Sequence, residues 1–541
     1  MRDGTAAPLT SATGFVRDPG AARTLRDIAF AHATAQASSP FLIAPDHAQE
    51  PGRVLSYRGL LGESRALAGE LKARGLRAGD KIALLMPNGC QTVSLFLGAM
   101  IGGFVAAPMN LRASRAALAF ALDHCDCKLL FVGPEQEAQL AAALPLVKRS
   151  FAVETVDIDA ARLFEGALEP AELEPVAAEA PALLMYTSGT TGTPKGVLLN
   201  HRNLLAGARA VASWHGLTAQ DRVQSSLPLF HINGQVIATV APFVSGGSIV
   251  APHAFSVSRW WDDVERYRVT WVNLVPTIIA YLLNAAGDGA RREFPLLRFG
   301  RSASAPLPPE HHRAFEERFG VKVVEALGMT ESASVAFCNP PEKRKFGSIG
   351  LPCHVEARVI GRDGRILPDG EAGEILFRGE NVMAGYYKSP GRSAEAIDAE
   401  GFLHTGDLGL RDPDGYYFVT GRLKELIIKG GENIAPREID EALLAHPAVL
   451  EAAAVGVPDK NYGQDILVAV VVKPGLHCEE SALRAHCLEL LGPYKTPRFI
   501  TFVEELPKGP SGKVQRLALA QGWGEGSGRR PLGPRASSPA R

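Results

Sequence analysis

The sequence predicts an α/β protein with a large N-terminal part and a small α+β C-terminal unit. Helical and strand-like segments alternate up to about residue 324, which favours largely parallel sheets. Between residues 347 and 420, short alternating runs separated by Asp-Gly turns indicate antiparallel hairpins. A new α+β pattern begins after Gly421. We therefore place the domains at residues 1–421 and 422–521, with a disordered tail at 522–541 that is rich in Gly, Pro and Ser.

The individual elements follow from hydrophobic periodicity. Apolar residues recur at nearly helical spacing from Tyr57 to Arg74, and the apolar run 81–86 is a short buried strand that ends at Pro87. The apolar run Leu95–Met109 is too short to cross a bilayer, so it predicts a buried helix followed by a strand at 105–108. We further predict helices at 115–124 and 436–445, strands at 128–132, 182–186, 356–360, 374–378, 416–420, 426–429, 449–457 and 466–472, and a linker at 171–182.

Composition excludes several classes of function. The chain has 57 Lys and Arg against 58 Asp and Glu, and this balance gives no bulk attraction to nucleic acid or to an anionic membrane. Seven scattered cysteines, an odd number, do not suggest a disulfide framework. The N-terminal segment lacks the apolar stretch of a secretory signal. We expect a cytoplasmic protein without a nucleic-acid partner or stable membrane insertion, and a homodimer stays open.

The segment YTSGTTGTPKG at residues 186–196 is the strongest chemical signal. Nine of its eleven residues are Thr, Ser, Gly or Pro, and glycines let backbone N–H groups approach an anion closely. The segment follows a predicted buried strand, but it is not a Walker A loop, because Gly196 rather than Ser or Thr follows the lysine. It predicts a phosphate-binding loop made by Thr187, Ser188, Gly189, Thr190, Thr191 and Lys195.

This loop closely resembles the signature of the adenylate-forming superfamily, which contains acyl-CoA synthetases, luciferases and the adenylation domains of peptide synthetases. The resemblance covers about residues 30–520 and implies an N-terminal domain of stacked α/β sheets plus a distorted β-barrel, with a small mobile C-terminal domain, in the acyl-CoA synthetase or carboxylic acid–CoA ligase branch. Seven further segments resemble family motifs in the family's order: LPLFH at 227–231, SASAPL at 302–307, LGMTES at 327–332, HTGD at 404–407, GRLKE at 421–425, KGGENI at 429–434 and PKGPSGK at 507–513.

The resemblance implies the two-step reaction of an acyl-CoA synthetase. The carboxylate of a small acid attacks the α-phosphorus of ATP and releases pyrophosphate. The thiol of coenzyme A then attacks the acyl-adenylate, and AMP leaves. By resemblance, Lys513 and Thr330 contact the reacting groups, and Glu331 is the ligand of Mg²⁺, a cation that prefers oxygen donors. His231 matches the gate between the acyl pocket and the thiol path, and a purely structural histidine stays open there.

Other positions match nucleotide-binding, coenzyme A-binding and hinge residues of the family. Asp407 is expected to accept hydrogen bonds from both ribose hydroxyls, Arg422 to add a second contact, and Lys424 to be the hinge. Leu327 replaces the aromatic residue that stacks on adenine in the family, so we expect weaker stacking. For thioester formation the C-terminal unit is expected to rotate so that the segment beginning at Lys429 faces the active site. The remaining matched positions are Ser304, Ala305, Glu325, Ala326, Gly328, Gly430 and Gly431.

The acyl pocket is expected around residues 231–235, 271–279 and 301–305. The pattern RSxSA, with TWxxxVPTI upstream, is similar to oxalate- and small-acid-CoA ligases. Arg301 either binds a second carboxylate through two hydrogen bonds or points outward to a neighbouring residue. Short or medium fatty acids, aryl acids and dicarboxylic acids all stay open as substrates. The matched pocket residues are His231, Asn233, Gly234, Val275, Arg301, Ala303 and Gly328, where Ala303 replaces the more usual glycine and narrows the slot.

Three competing functions differ in their residue requirements. An amino-acid adenylation domain carries an acid next to the position of Phe230 for the α-ammonium group, where this chain has His-Ile-Asn. An acyl-AMP ligase that loads a carrier protein stays open, although the intact KGGENI segment favours free coenzyme A. A non-catalytic nucleotide-binding protein has no physical need for the five charged motif residues that this chain keeps together.

Overall fold

The computed structural model describes residues 19–45, 52–164, 171–187, 194–285, 293–508 and 514–524. Its helices begin where local capping dictates: Thr24, Ser56, Ser114 and Asn200 each accept a hydrogen bond from the backbone N–H three residues later. The α-helices are α1 (Leu25–Ala35), α2 (Tyr57–Ala73), α3 (Cys90–Gly102), α4 (Arg115–His124), α5 (Glu137–Ala143), α6 (His201–Trp214), α7 (Ala241–Ser245), α8 (Trp260–Arg266), α9 (Pro276–Asn284), α10 (Pro309–Phe319), α11 (Pro390–Ala396), α12 (Pro436–Leu444), α13 (Glu480–Lys495) and α14 (Arg516–Gly524).

The strands of the N-terminal part are β1 (Pro40–Ala44), β2 (Arg53–Ser56), β3 (Lys81–Leu85), β4 (Val105–Pro108), β5 (Cys127–Val132), β6 (Ala152–Thr155), β7 (Pro181–Thr187), β8 (Lys195–Asn200), β9 (Arg222–Gln224), β10 (Ser248–Val250), β11 (Trp271–Leu274), β12 (Phe299–Ser302), β13 (Val323–Leu327), β14 (Phe337–Cys338), β15 (Leu351–Pro352), β16 (Glu356–Ile360), β17 (Gly373–Arg378), β18 (Gly385–Tyr386), β19 (Leu403–Arg411) and β20 (Tyr417–Arg422). The C-terminal strands are β21 (Ile427–Lys429), β22 (Glu432–Ile434), β23 (Val449–Asp459), β24 (Gly463–Val472) and β25 (Phe499–Phe502).

Two large sheets with parallel inner strands build the N-terminal domain. In the described part of the chain, one sheet has seven strands in the order β18-β8-β7-β4-β3-β5-β6. The other has nine, in the order β15-β14-β13-β12-β11-β9-β10-β1-β2. One hydrophobic core contains side chains from both sheets and from α3, whose residues are all buried. The apolar run Leu95–Met109 therefore forms a buried helix followed by strand β4, as the sequence predicts.

Two smaller sheets complete the fold. Strands β16-β17-β19-β20 form an antiparallel sheet in the region predicted to contain antiparallel hairpins, and a bridge between Gly350 and Tyr417 joins its edge to the segment before β15. The C-terminal unit has the order β22-β21-β24-β23, with β25 added in parallel to β24. The predicted α/β class, with a large N-terminal and a small C-terminal domain, is confirmed.

The structure adjusts the predicted elements mainly at their ends. Helix α4 has the predicted bounds, whereas the strand predicted at 182–186 extends one residue in each direction and the strand predicted at 466–472 begins at Gly463. Helix α14 continues to Gly524, so the first three residues of the predicted tail are helical, and 525–541 lie outside the described residues. All seven cysteines are free thiols, and no helix among the described residues is long and apolar enough to span a membrane.

An ion cluster centred on Arg516 joins three segments of the C-terminal unit. Arg516, at the start of α14, places Nη2 2.5 Å from Asp440 Oδ2 and donates from Nη1 to the carbonyl of Ala454 at 2.8 Å. Its Nε lies 3.3 Å from Oε2 of Glu425, which follows β20 closely in sequence. Asp440 also accepts from the Ala454 N–H at 2.6 Å. Helix α14, helix α12 and strand β23 are thereby fixed to one another and to the entry of the C-terminal unit.

Removal of the carboxylate from this cluster should destabilise the C-terminal unit. Asp440→Ala leaves the mostly buried Arg516 cation without its closest partner, which costs about 3–5 kcal/mol of unfolding free energy. Native-state hydrogen exchange of the β23 amides measures that loss. Asp363→Ala is the matched control, since the Asp363–Arg365 pair is exposed and worth little. Equal exchange rates in the two variants would contradict this role of Asp440.

Candidate active site

The predicted phosphate-binding loop connects two paired strands. Strands β7 and β8 are antiparallel neighbours, and Thr187 at the end of β7 lies opposite Lys195 at the start of β8. Both side chains are half-buried. The strand pairing therefore places these two phosphate-loop residues side by side at one edge of the seven-stranded sheet. Ser188, Gly189, Thr190 and Thr191, together with Lys513, lie outside the described residues.

A tyrosine connects this loop to the predicted magnesium ligand. The Lys195 ammonium lies 4.7 Å from the centre of the Tyr386 ring, and the Tyr386 hydroxyl donates a 2.8 Å hydrogen bond to Oε1 of Glu331. Glu331 and Tyr386 are both buried. Burial and the charge of Glu331 raise the pKa of the Tyr386 phenol, so the hydroxyl stays a donor. One tyrosine thus contacts a cation over its ring and a carboxylate at its hydroxyl, each from a different motif.

Backbone geometry fixes Glu331 in a tight turn. Residues Thr330–Ser332 form a 3-10 turn, followed by positive φ angles at Ala333 and Ser334. A Cβ atom at Gly328 would lie 1.5 Å from the carbonyl oxygen of Ser334, so only glycine fits at this position. The Met383 N–H donates to the carbonyl of Glu331 at 2.7 Å. The half-buried Thr330 side chain stands next to Glu331 in the same turn.

The donor set fits a magnesium ion bound together with nucleotide phosphates. Tyr386 is the hydrogen-bond donor to Glu331 Oε1 in the described part of the chain, which leaves Oε2 for a ligand. No group of three or more His, Cys, Asp and Glu side chains that could hold a metal occurs among the described residues. Mg²⁺ needs no such group, because it takes one or two carboxylates and completes its shell with phosphate oxygens and water.

The predicted ribose-binding pair lies between β19 and β20. Asp407 and Arg422 are directly opposite each other in the two strands, and Arg422 Nε donates to Asp407 Oδ1 at 2.6 Å. The Asp407 carboxylate is buried, and its backbone N–H donates to the Thr405 hydroxyl. Burial acts to lower the pKa of Arg422, but the charge of Asp407 and its hydrogen bond outweigh that effect and raise it. One oxygen of Asp407 is therefore already engaged by Arg422.

The acyl side of the site contains a buried polar network. Asn233 donates from Nδ2 to the Ser304 hydroxyl at 3.1 Å, while its Oδ1 accepts from Asn273 Nδ2 at 3.1 Å and from Arg301 Nη1 at 3.4 Å. Asn273 also contacts the Ser225 hydroxyl. Asn233 begins a π-helical stretch, Asn233–Val240, a rare conformation that is frequent at functional sites.

Arg301 is fully buried, and the alternative that it points outward to a neighbour is wrong. The side chain sits in β12, an inner strand of the nine-stranded sheet, and has no solvent exposure. Nε and Nη2 have no hydrogen-bond partner within the described ranges, and no carboxylate there pairs with the guanidinium. Burial lowers its pKa. A buried cation with unsatisfied N–H groups is costly without an anion.

The other predicted pocket residues lie around this network. The His231 N–H donates to the Pro228 carbonyl at 3.0 Å, and the half-buried His231 ring packs 4.6 Å from that of Phe230. A Cβ atom at Gly234 would approach the Pro228 carbonyl oxygen to 2.6 Å, so this turn requires glycine. Val275 precedes helix α9 at the end of β11, and Ala303 is buried directly after β12.

The predicted adenine-side residues share one strand and one turn. Ser304 has a positive φ angle of 76° in the turn after β12, with Ala305 next to it, while Ala326 and Leu327 are in β13. The Glu325 side chain is buried, and its Oε1 accepts from the Leu307 N–H at 3.1 Å. Burial raises the pKa of Glu325 to about 7, against the opposing effect of that hydrogen bond.

The ammonium of Lys429, a residue predicted to contact coenzyme A, is bonded within the C-terminal unit. It forms a 2.8 Å ion pair with the buried Asp465 and donates to the Tyr494 carbonyl at 3.0 Å. Gly430 and Gly431 follow with positive φ angles of 56° and 89°, so they form the turn between β21 and β22. The contacts of the Lys429 ammonium with Asp465 and Tyr494 stabilise the strand that leads into this turn. Lys424 lies exposed in the turn Leu423–Glu425 between β20 and β21.

Sequence reasoning missed Tyr386, and it placed Asn273 only within the expected pocket range 271–279 without giving it a role. Tyr386 is 55 residues from the carboxylate that it contacts, and Asn273 is 40 residues from Asn233. Both contacts join side chains of elements that are distant in sequence, so no local spacing reveals them. The one available signal for Asn273 is a polar residue at the centre of an otherwise apolar strand, WVNL.

Comparison with known proteins identifies the family. The sequence profile described as "AMP-binding enzyme" matches residues 30–387, and the one described as "AMP-binding enzyme C-terminal domain" matches residues 438–513. The chain belongs to the AMP-binding enzyme family. The adenylate-forming family predicted from the motifs is thereby confirmed.

Relatives place this AMP-binding enzyme among the acid–CoA ligases. The sulfoacetate–CoA ligase of Cupriavidus necator is 52% identical, over 93% of this chain and 98% of that protein. The oxalate–CoA ligase of Arabidopsis thaliana is 36% identical, over 84% of this chain and 91% of that protein. The crystal structure of ATP-bound MatB from Rhodopseudomonas palustris matches with a TM-score of 0.85 at 28% identity, over 93% of this chain and 99% of that one. The enzyme is an AMP-forming acyl-CoA synthetase that uses ATP and coenzyme A.

The buried Glu325 should make stability depend on pH. A carboxyl whose pKa is raised in the folded state keeps a proton that the unfolded chain loses, so its contribution to the unfolding free energy falls as pH rises from about 4.5 to about 7. Glu325→Gln removes this decline and stabilises the enzyme above pH 7 by up to about 3 kcal/mol. Denaturant unfolding of both proteins between pH 5 and pH 8 tests this expectation, and a constant difference across that range would contradict it.

Proposed function

We propose that this acyl-CoA synthetase activates a short carboxylic acid that carries a second anionic group, and that Arg301 binds that group. The observation that carries the proposal is the complete burial of Arg301 without a carboxylate partner in the described part of the chain. Its unsatisfied Nε and Nη2 are two donors of one guanidinium, a fork that matches carboxylate and sulfonate oxygens. An anionic group of the substrate supplies the negative charge and the hydrogen-bond acceptors that the described residues do not provide for Arg301.

The neighbouring polar groups support a small and polar substrate. Asn233 contacts Arg301 and also Ser304 in the turn after β12, so the network connects the guanidinium to the region where the resemblance puts the acyl group. Ala303 occupies space that a glycine leaves open. The names of two relatives agree with this chemistry, because sulfoacetate joins a carboxylate to a sulfonate and oxalate joins two carboxylates. Long-chain fatty acids have no group for Arg301.

The nucleotide is held, in this proposal, by residues of four motifs. Thr187 and Lys195, with Ser188, Gly189, Thr190 and Thr191, bind the phosphates. Asp407 binds the ribose through its oxygen not used by Arg422, and Glu331 holds Mg²⁺. The metal neutralises charge on the phosphates when bound. The adenine lies along 304–305 and 325–328, with Leu327 in place of an aromatic residue.

The same proposal covers the two half-reactions. Residues 1–421 form the adenylation domain and 422–521 the mobile lid, with Lys424 as the hinge. Lys513 contacts the acid and the α-phosphate during adenylate formation, Thr330 contacts the α-phosphate, and His231 stands at the passage for the thiol. In thioester formation the turn at 430–431 faces the active site. The acceptor is free coenzyme A, which the names of the relatives support over a carrier protein.

An acid panel with an arginine variant tests the substrate class. Pyrophosphate release is measured with sulfoacetate, oxalate, malonate, C4–C16 fatty acids and benzoates. We expect the acids with a second anion to be preferred, and Arg301→Ala to lower their kcat/KM by about 100-fold, because charged hydrogen bonds in a dry site are lost. Arg298→Ala is the control, since Arg298 is partly exposed and paired with Asp221 at 2.8 Å. Preference for fatty or aryl acids, or an Arg301→Ala effect no larger than that of the control, would overturn the proposal.

The catalytic lysine is tested by separating the half-reactions. Lys513→Ala is expected to abolish adenylate formation and to spare thioester formation from pre-made acyl-adenylate, because the lysine is withdrawn in the second step. Lys508→Ala in the same motif should affect neither step, since its ammonium is bonded to Glu451 at 2.7 Å. Pyrophosphate release and thioester absorbance report the two rates. Parallel loss of both in the Lys513 variant would refute the assignment.

A further inference from the structure

Tyr386 stands between two groups of the candidate active site. Its ring has the Lys195 ammonium 4.7 Å from the centroid, and its hydroxyl is 2.8 Å from Glu331 Oε1. The side chain is 9% exposed, so both contacts are largely shielded from water. Electrostatic interactions are stronger in such a place than at the surface.

The position of Tyr386 is fixed by the backbone on both sides. Strand β18 adds to the edge of β8, with Tyr386 opposite Val197. The next residue donates from its N–H to the carbonyl of Gly196 at 2.7 Å, and three residues earlier the Met383 N–H donates to the carbonyl of Glu331. The Tyr386 N–H is itself bound to the Ser393 hydroxyl at 2.9 Å. Residues 383–387 therefore join strand β8, which begins at Lys195, to the turn that contains Glu331.

We propose that Tyr386 is a positioning residue for adenylate formation, which orients the Glu331 carboxylate toward the metal and the Lys195 ammonium toward the phosphates. The proposal rests on the roles of Lys195 and Glu331 proposed above. A hydrogen bond to one carboxylate oxygen fixes the rotation of the group and leaves the other oxygen for Mg²⁺. A phenol donates this hydrogen bond without carrying a positive charge. A lysine or arginine at the same position would neutralise the Glu331 carboxylate and compete with the metal for it.

The decisive variant is Tyr386→Phe, which removes the hydroxyl and keeps the ring beneath Lys195. We expect metal affinity in the presence of nucleotide to fall by about 10–100-fold, the usual effect of losing a group that orients a metal ligand. Binding is measured directly by titrating Mn²⁺ against the enzyme with a non-hydrolysable ATP analogue and following free Mn²⁺ by electron paramagnetic resonance. The Mg²⁺ dependence of pyrophosphate release should shift in the same direction, while thioester formation from pre-made acyl-adenylate stays unchanged.

The adjacent tyrosine is the matched control. Tyr387 is also partly buried, but its hydroxyl donates to Asp126 at 2.7 Å and not to Glu331. Tyr387→Phe should leave Mn²⁺ affinity unchanged. Tyr386→Leu removes the ring as well, so it should add an increase in the KM for ATP through Lys195. Thermal melting of each variant establishes that it is folded.

The outcomes separate this proposal from the one on which it rests. If Glu331→Gln abolishes nucleotide-dependent Mn²⁺ binding but Tyr386→Phe leaves it unchanged, the positioning role of Tyr386 is wrong, whereas the role of Glu331 as a metal ligand is supported. If Glu331→Gln leaves Mn²⁺ binding unchanged, the proposed metal ligand is wrong, and Tyr386 has no metal ligand to orient. If Tyr386→Phe slows both half-reactions equally with unchanged Mn²⁺ affinity, the tyrosine is structural and the proposal falls.

Discussion

Strand β8 is hydrogen-bonded on both of its edges, and the geometry of the nucleotide side depends on this pairing. One neighbour, β7, brings Thr187 opposite Lys195, and the other neighbour, β18, brings Tyr386 under the same lysine. The Tyr386 hydroxyl then reaches Glu331. The β7–β8 pair, β18 and the turn at Glu331 are far apart in sequence, and they meet because β8 pairs with β18 and Tyr386 of β18 reaches Glu331. A change of register in either pairing would turn these side chains to the opposite face of the sheet.

Two buried cations show how differently the same cost can be met. Lys429 has Asp465 at 2.8 Å and a backbone carbonyl, so its charge is compensated inside the C-terminal unit. Arg301 has an amide oxygen at 3.4 Å, and the described residues place no carboxylate with it. The first arrangement is complete without a ligand. The second leaves a buried positive charge without a negative partner, which favours binding of an anion. Arg301, unlike Lys429, is therefore suited to bind an anionic group of the substrate.

The sequence was informative where structure is local and less so where contacts are distant. Periodicity and turn residues predict α4 and the buried run from Leu95 correctly, and motif order predicts the family, because these signals lie within short windows. The orientation of Lys429 is different: its partner Asp465 is on another strand, and no spacing reveals it. The burial of Arg301 likewise depends on the whole sheet around β12. The hydrogen bond that the Glu325 carboxylate accepts from the Leu307 N–H also joins residues too far apart in sequence to be seen in a motif.

The link between the two domains is held on each side by an ion pair. Arg422 is bonded to Asp407 within the β19–β20 ladder, and Glu425 is paired with Arg516 in the C-terminal cluster. Leu423 and Lys424 lie between these two anchors. If both pairs hold during the proposed reorientation of the C-terminal unit, the backbone between them, at these two residues, is where rotation would be concentrated. In the proposed lid movement, the connection would then act as a short hinge between two anchored ends rather than as a flexible tether.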